Sequence, residues 1–327
     1  MTAGRVLVTP RSLTEAGLET VPELAPIRER GYELVSTTPG RMPTEDQLLE
    51  VVPGCVGWLA GVERISERVL DSATGLRVIS RNGSGTDAID MAAAARAGVR
   101  VERTVGSNAQ GVAELALALS LTALRSVPWS AAALVAGRWE RTPGVELPDC
   151  TVGIVGLGAI GRRTAQAFSA LGSRVVGFDP FVTDTDVPPM DLDDLLEVCD
   201  VISLHCPPAA DGAPMIDAGR LARVARGAVL VNTARSALVD DDAVLAALEA
   251  GTLGAYAVDA FDVEPPEITA LLRHPRVIAT PHLGGYTHAS IRRSTTQAVE
   301  NLIHALDPGM RPAIVAAARN GDGNGRP

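Results

Sequence analysis

Short apolar runs alternate with amphipathic ones along most of the chain. RVLVT (5–9), YELVST (32–37), GWLA (57–60), LRVIS (76–80) and VRVE (99–102) are strand-length stretches rich in apolar and β-branched residues. Helix-type segments such as ISERVLDSA and DAIDMAAAARAG separate them. Strands that read as near-continuous apolar runs are buried on both faces, and a parallel sheet needs helical crossovers. The pattern therefore predicts a doubly wound α/β sheet. It then pauses: residues 108–127 predict one long helical segment, followed by an irregular connection, RWERTPGVELPDC. The rhythm restarts at TVGIVG (151–156) and runs through RVVGFD, DVISLHC, AVLVNTA, GAYAVDA and RVIATP, which predicts a second doubly wound parallel sheet. A last amphipathic helix, ASIRRSTTQAVENLIHAL (289–306), is expected to return to the first domain. The expected organisation is discontinuous, with residues 1–102 plus 290–320 in one domain and 103–289 in the other. Residues 321–327 are expected to be a disordered tail, since NGDGNGRP carries no apolar side chain.

A length of 327 residues suits two domains, and 46% hydrophobic residues can fill two cores. The net charge of −10 argues against a nucleic-acid or anionic-membrane partner, both of which want a basic face. The longest apolar stretch, VAELALALSLTAL (112–124), is too short to span a bilayer and carries Glu114. The N-terminus has no secretory apolar segment, and Cys55, Cys150, Cys199 and Cys206 form no C-x-x-C pair. Reduced thiols in a cytoplasmic protein are expected.

Candidate chemistry begins at GLGAIG. Gly156, Gly158 and Gly161 have the G-x-G-x-x-G spacing, between a strand-type run and a helical run. Glycines there permit a tight turn and close approach of the backbone, including Ala159 and Ile160, to a pyrophosphate at a helix N-terminus. The alternative is a purely structural turn. Asp179 ends the next strand, where an acidic side chain accepts hydrogen bonds from ribose hydroxyls and repels a 2′-phosphate. NAD is thus favoured over NADP, although Asp179 could also simply start a turn with Pro180. Three later strand ends carry polar groups: Arg235, Asp259 with Glu264, and His282. An arginine fork can bind a carboxylate, and a histidine can pass a proton to or from a hydroxyl. A glutamate beside the histidine would fix its tautomer and favour the charged ring. A metal site is not expected, because the five histidines show neither H-E-x-x-H spacing nor clustered cysteines.

The order GLGAIG, ARSALVD, DAFDVEP, PHLGGYT resembles the D-2-hydroxyacid dehydrogenase family, and the resemblance covers most of the chain. It implies a flavodoxin-like substrate domain and a Rossmann NAD domain with the active site in a cleft. It implies Arg235 as carboxylate and carbonyl anchor, Glu264 as partner of the imidazole, His282 as acid/base, and Asp259 on the nicotinamide carboxamide. His205, Pro207, Thr233, Ala234 and Gly284 would line the cofactor.

RNGSGTDAID and GRWERTPGVEL are most similar to the phosphoglycerate dehydrogenase branch. By that likeness Ser84 and Gly85 would meet the substrate carboxylate and Asn108 would line the cleft. Arg81 would face a distal phosphate or phosphonate, with Arg141 supplied by the partner subunit of a homodimer built on 108–149. Ala60 and Gly61 stand where that branch carries an arginine, and regulation through that branch's C-terminal domain is not expected. Two alternatives stay open: a glyoxylate or hydroxypyruvate reductase, and a non-catalytic NAD-binding scaffold like the family's corepressors.

Overall fold

The computed structural model describes residues 3–182, 184–209 and 211–307. The chain divides into two compact units, one of residues up to 105 together with those from 292 onward, the other of residues 106–291. The tail 321–327 lies outside the described residues, as do residues 308–320.

The first unit is a parallel sheet of β1 (Gly4–Val8), β2 (Tyr32–Val35), β3 (Cys55–Ala60), β4 (Val78–Arg81) and β5 (Arg100–Arg103), in the order β2-β1-β3-β4-β5. Its strands send alternate side chains to opposite faces. Val6, Val8 and Leu59 pack with Ala298, Val299 and Leu302 of the helix His288–Leu306. Leu7, Trp58 and Ile79 pack with Leu48, Val69 and Ala93 on the other face. Both faces of the inner strands are covered, which explains why β1, β3 and β4 read as apolar runs and not as an alternation, while the edge strand β5 is half-exposed.

The second unit is a parallel sheet of β6 (Thr151–Val155), β7 (Arg174–Phe178), β8 (Val201–Leu204), β9 (Ala228–Asn232), β10 (Leu253–Val258) and β11 (Val277–Ala279), ordered β11-β10-β9-β8-β6-β7. Ile154, Val231 and Ala257 pack against Ala116 and Leu119 of the helix Ala109–Leu124. Val155, Leu230 and Tyr256 pack on the other face with Leu195 and Val244. From β6 the chain goes to β7 on one side and then to β8 on the other. The C-terminal ends of β6 and β8 therefore form the switch point at which such sheets bind ligands.

Two expectations are corrected. The long helical segment does not run unbroken to residue 127. The helix Ala109–Leu124 ends at Arg125, Ser126 takes a left-handed φ of 52°, and a second helix, Val127–Val135, leaves at 57°. Pro128 is the cause: proline is tolerated in a first helical turn but breaks a helix interior. The chain also crosses between units at 105/106 and 291/292 instead of 102/103 and 289/290. β5 runs on to Arg103, and the first turn of the last helix stays with the second unit. Among the described residues no single helix is long and apolar enough to cross a membrane.

Candidate active site

β6 runs into the glycine loop. Gly156 has φ 95°, and a Cβ there would lie 2.7 Å from the His205 carbonyl. A Cβ at Gly161 would lie 1.8 Å from the Gly156 carbonyl oxygen, so the following helix packs directly on the turn. Gly158 caps that helix, Ala159–Ala170, and a Cβ at this position would meet nothing within 4 Å. The space beyond the helix N-terminus is open, and the first-turn amides, including Ala159 and Ile160, have no carbonyl partner within the helix. Such a terminus can receive an anion.

Asp179, at the end of β7, holds this loop from outside. Its Oδ2 accepts from the Leu157 amide at 2.8 Å, and its Oδ1 accepts from the amides of Phe181 (2.9 Å) and Val182 (3.1 Å). The carboxylate thus starts the turn at Pro180. With about four acceptor sites on a carboxylate, it keeps room for a hydroxyl.

Two polar atoms near this edge are buried without a protein partner: Nδ1 of His205 after β8 and Oγ1 of Thr233 after β9. His205 Nε2 lies 2.9 Å from Ser203 Oγ, and burial pushes the ring down to about 3, so it stays neutral at physiological pH. Buried polar atoms without partners call for one. With the open helix terminus they fit a dinucleotide, whose phosphates the Gly158–Ile160 backbone would hold. Pro207 is exposed and Ala234 half-buried on the same loops.

The chemistry-bearing side chains stand after three adjacent strands. After β9, Asn232 clamps its loop, accepting from the Ala234 amide (3.1 Å) and donating to the Arg235 carbonyl (2.8 Å). Arg235 is half-buried, with Nη1 donating to the Ala234 carbonyl at 2.7 Å. After β10, Asp259 is 1% exposed, and Glu264 follows, joined to Pro265 by a cis peptide. After β11 comes His282, with a left-handed φ of 54°. Its Nδ1 lies 2.5 Å from Glu264 Oε1. The carboxylate can only accept here, so Nδ1 carries a hydrogen and Nε2 is left for proton transfer. Asp259 makes contacts that the sequence did not suggest. It accepts from Thr280 Oγ1 (2.6 Å), the Leu283 amide (2.7 Å) and the Gly284 amide (2.8 Å). Asn108, the residue before the helix Ala109–Leu124, lies against Gly285, where a Cβ would sit 3.3 Å from its Nδ2.

A sequence model described as "D-isomer specific 2-hydroxyacid dehydrogenase, NAD binding domain" matches residues 117–284. The chain belongs to the D-isomer specific 2-hydroxyacid dehydrogenase family. Its second unit is the family's NAD-binding domain, and NAD is its cofactor. A D-3-phosphoglycerate dehydrogenase of Mycobacterium tuberculosis is 37% identical over 272 residues, 81% of this chain and 52% of that protein. A hydroxypyruvate reductase of Thermotoga maritima is 34% identical over 270 residues, 80% of this chain and 88% of that one. The chain thus spans about half the length of the first of these and most of the second. A solved Thermus thermophilus protein superposes with a TM-score of 0.84 at 36% identity, over 94% of this chain and 98% of that one. A glyoxylate reductase from Paecilomyes thermophila gives 0.81 at 26%, over 94% and 97%.

In the first unit, Arg81 ends β4, and its Nη1 donates to the Asn82 carbonyl over Gly83. Ser84 and Gly85 follow it, half-buried. Arg141 is exposed in the stretch between Val135 and Leu147 that contains no regular element.

Three residues carry roles that sequence reasoning did not find. Thr280 and Ser203 hold Asp259 and His205, and both look like ordinary strand-end residues in the chain. Glu63 is 2% exposed, just beyond β3. Its Oε1 accepts from the Thr9 hydroxyl and from the Gly61 amide (2.9 Å), and its Oε2 has no partner. Burial pushes its carboxyl up, against the opposing effects of the Thr9 and backbone hydrogen bonds and the Arg81 charge. The only signal in the sequence was a glutamate shortly after an apolar strand.

Proposed function

We propose that the chain is an NAD-dependent D-2-hydroxyacid dehydrogenase acting on an anionic 2-oxo or 2-hydroxy acid. The observation that carries this is the His282–Glu264 pair, with Arg235 on a neighbouring strand end of an NAD-binding domain. NADH would supply the hydride that reduces C2, and NAD would accept it in the reverse reaction. In reduction, Arg235 binds the carboxylate through its fork and stabilises the charge that grows on the carbonyl oxygen. His282, with Nδ1 committed to Glu264, delivers the proton from Nε2. Glu264 compensates the positive charge on the ring. We assign Ser84, Gly85 and Asn108 to the substrate carboxylate and its surroundings, and Arg81 and Arg141 to a distal phosphate or phosphonate.

A second reading, a glyoxylate or hydroxypyruvate reductase, is favoured by Glu63. This buried carboxyl lies near Arg81 and beside Gly61, at the position where a phosphate site would place a cation and not an acid. The test is NADH consumption with phosphohydroxypyruvate, hydroxypyruvate and glyoxylate compared on one preparation. Preference for the phosphorylated acid supports the first reading and preference for either plain acid the second. No turnover with any 2-oxo acid refutes both.

We further propose a homodimer in a reducing compartment, all four cysteines being free thiols. Val127, Leu134, Val135 and Trp139 are exposed along one stretch, Val135 by 91% and Trp139 by 80%, and a second copy would cover them. A monomeric mass by light scattering at micromolar concentration contradicts the dimer.

A further inference from the structure

We infer that Thr280 is a positioning residue, acting through Asp259 to hold His282 in its left-handed backbone conformation. The catalytic consequence rests on the dehydrogenase reading; the structural part does not.

The argument starts from the backbone. A φ of 54° at a histidine is a conformation that residues with a Cβ avoid. Such residues persist only where their surroundings over-determine them. Here the amides of the next two residues, Leu283 and Gly284, converge on one carboxylate, at 2.7 and 2.8 Å. Successive amides around a left-handed residue form a concave nest for an anion, and Asp259 fills it. The nest works only if the carboxylate is fixed. Asp259 is buried at the end of β10, and the remaining donor to it is the Thr280 hydroxyl, at 2.6 Å.

Thr280 is itself set by the sheet, because its amide donates to the Val258 carbonyl at 2.9 Å, continuing the β10–β11 ladder. The turn is closed by the His282 amide, which donates to the Thr280 carbonyl at 2.9 Å. On its other side the loop has no slack. A Cβ at Gly111 of the helix Ala109–Leu124 would lie 2.8 Å from the Gly284 carbonyl oxygen. Contacts thus run from the sheet through Thr280 and Asp259 to the backbone at His282, and from its ring to Glu264.

Substitution of Asp259 would be ambiguous, since this residue is also assigned to the nicotinamide carboxamide. Thr280 has no assigned cofactor or substrate contact, so it separates positioning from binding. Thr280→Val removes the hydroxyl and keeps the shape. Turnover should fall about tenfold or more, the scale of a small misplacement of a reacting group, while NADH affinity by fluorescence titration falls by less than turnover does. Thr280→Ser, which keeps the hydroxyl, should restore turnover. Thr280→Ala reads the same if the valine variant does not fold. A second readout needs no activity: the ring signals of His282 in nitrogen-15 spectra, assigned by their loss in His282→Ala. They should match in the parent and Thr280→Ser, and shift or broaden in Thr280→Val. Parent-like turnover and ring signals in Thr280→Val overturn the inference. So does a serine variant as impaired as the valine one, or a loss of NADH affinity equal to the loss of turnover. A parent without turnover on any 2-oxo acid refutes the dehydrogenase reading alone, and the ring signals still decide the clamp.

Discussion

Two glycines in one loop should respond to the same alanine substitution in opposite ways. A Cβ at Gly161 would lie 1.8 Å from the Gly156 carbonyl oxygen, whereas real contacts of this kind stay above 3.0 Å. The helix Ala159–Ala170 must therefore back away from the turn by more than about 1 Å, a displacement that close-packed interiors resist. Overpacking of this kind costs about 1–3 kcal/mol, and each kcal/mol lowers the melting temperature by about 2–4 °C in a domain of this size. Gly158 differs: its φ of −70° suits any residue, and a Cβ there would meet nothing within 4 Å. Gly158→Ala should keep the fold within about 1 kcal/mol of the parent, the smaller entropy of the unfolded chain opposing alanine's poorer fit at an N-cap. Its methyl would occupy the space where the pyrophosphate meets the helix amides. Losing one charge-assisted hydrogen bond costs about 1.5–3 kcal/mol, or about ten- to a hundredfold in NADH affinity. Calorimetry and NADH fluorescence titration on both variants give the two numbers. A Gly158→Ala protein that binds NADH as the parent does would refute anion binding at this terminus.

The remaining predictions concern side chains. Asp179→Ala should narrow the gap between NADH and NADPH by weakening NADH, which parallel titrations check; an unchanged preference would mean that the carboxylate serves only the turn. Glu63→Gln tests the buried acid through stability against pH. The folded carboxyl takes its proton up more readily than the unfolded one, so the parent should lose stability as pH rises from about 4.5 towards the raised folded value, by about 1.4 kcal/mol per unit of difference. The glutamine variant should lack that loss, and parallel melting curves from pH 4 to about 8 would show instead that Glu63 does not titrate as argued. His282→Ala should lower turnover by about a hundredfold or more with NADH still bound, and Glu264→Gln should impair turnover less than this. Near-parent turnover in His282→Ala removes the mechanism.

The strands were legible because burial on both faces makes them read as apolar runs. β9, AVLVN, is buried at every residue, and its run marked it without ambiguity. The break at Ser126 was not legible in the same way. The apolar pattern continues across it, and only Pro128 marks the bend. In the site, glycine spacing marked the tight turn between β6 and the following helix, since Gly156 and Gly161 leave no room for a side chain. The His282–Glu264 pair was legible as two residue types at two strand ends. The contacts that hold the pair were not. Asp259 meets the amides of Leu283 and Gly284 through its carboxylate, and main-chain donors leave no mark in a sequence. Glu63 was hidden for a related reason, because its burial follows from what Thr9, Trp58 and Gly61 place around it.

The most direct measurement follows the hydrogen itself. NADH carrying deuterium at the transferring C4 position is mixed with a 2-oxo acid that the protein consumes, and the product is examined by NMR and chiral separation. The account predicts one deuterium on C2 of a D-configured 2-hydroxy acid, formed in step with NAD and lost in His282→Ala. NADH oxidation without deuterium on C2, or an L-configured product, would contradict it.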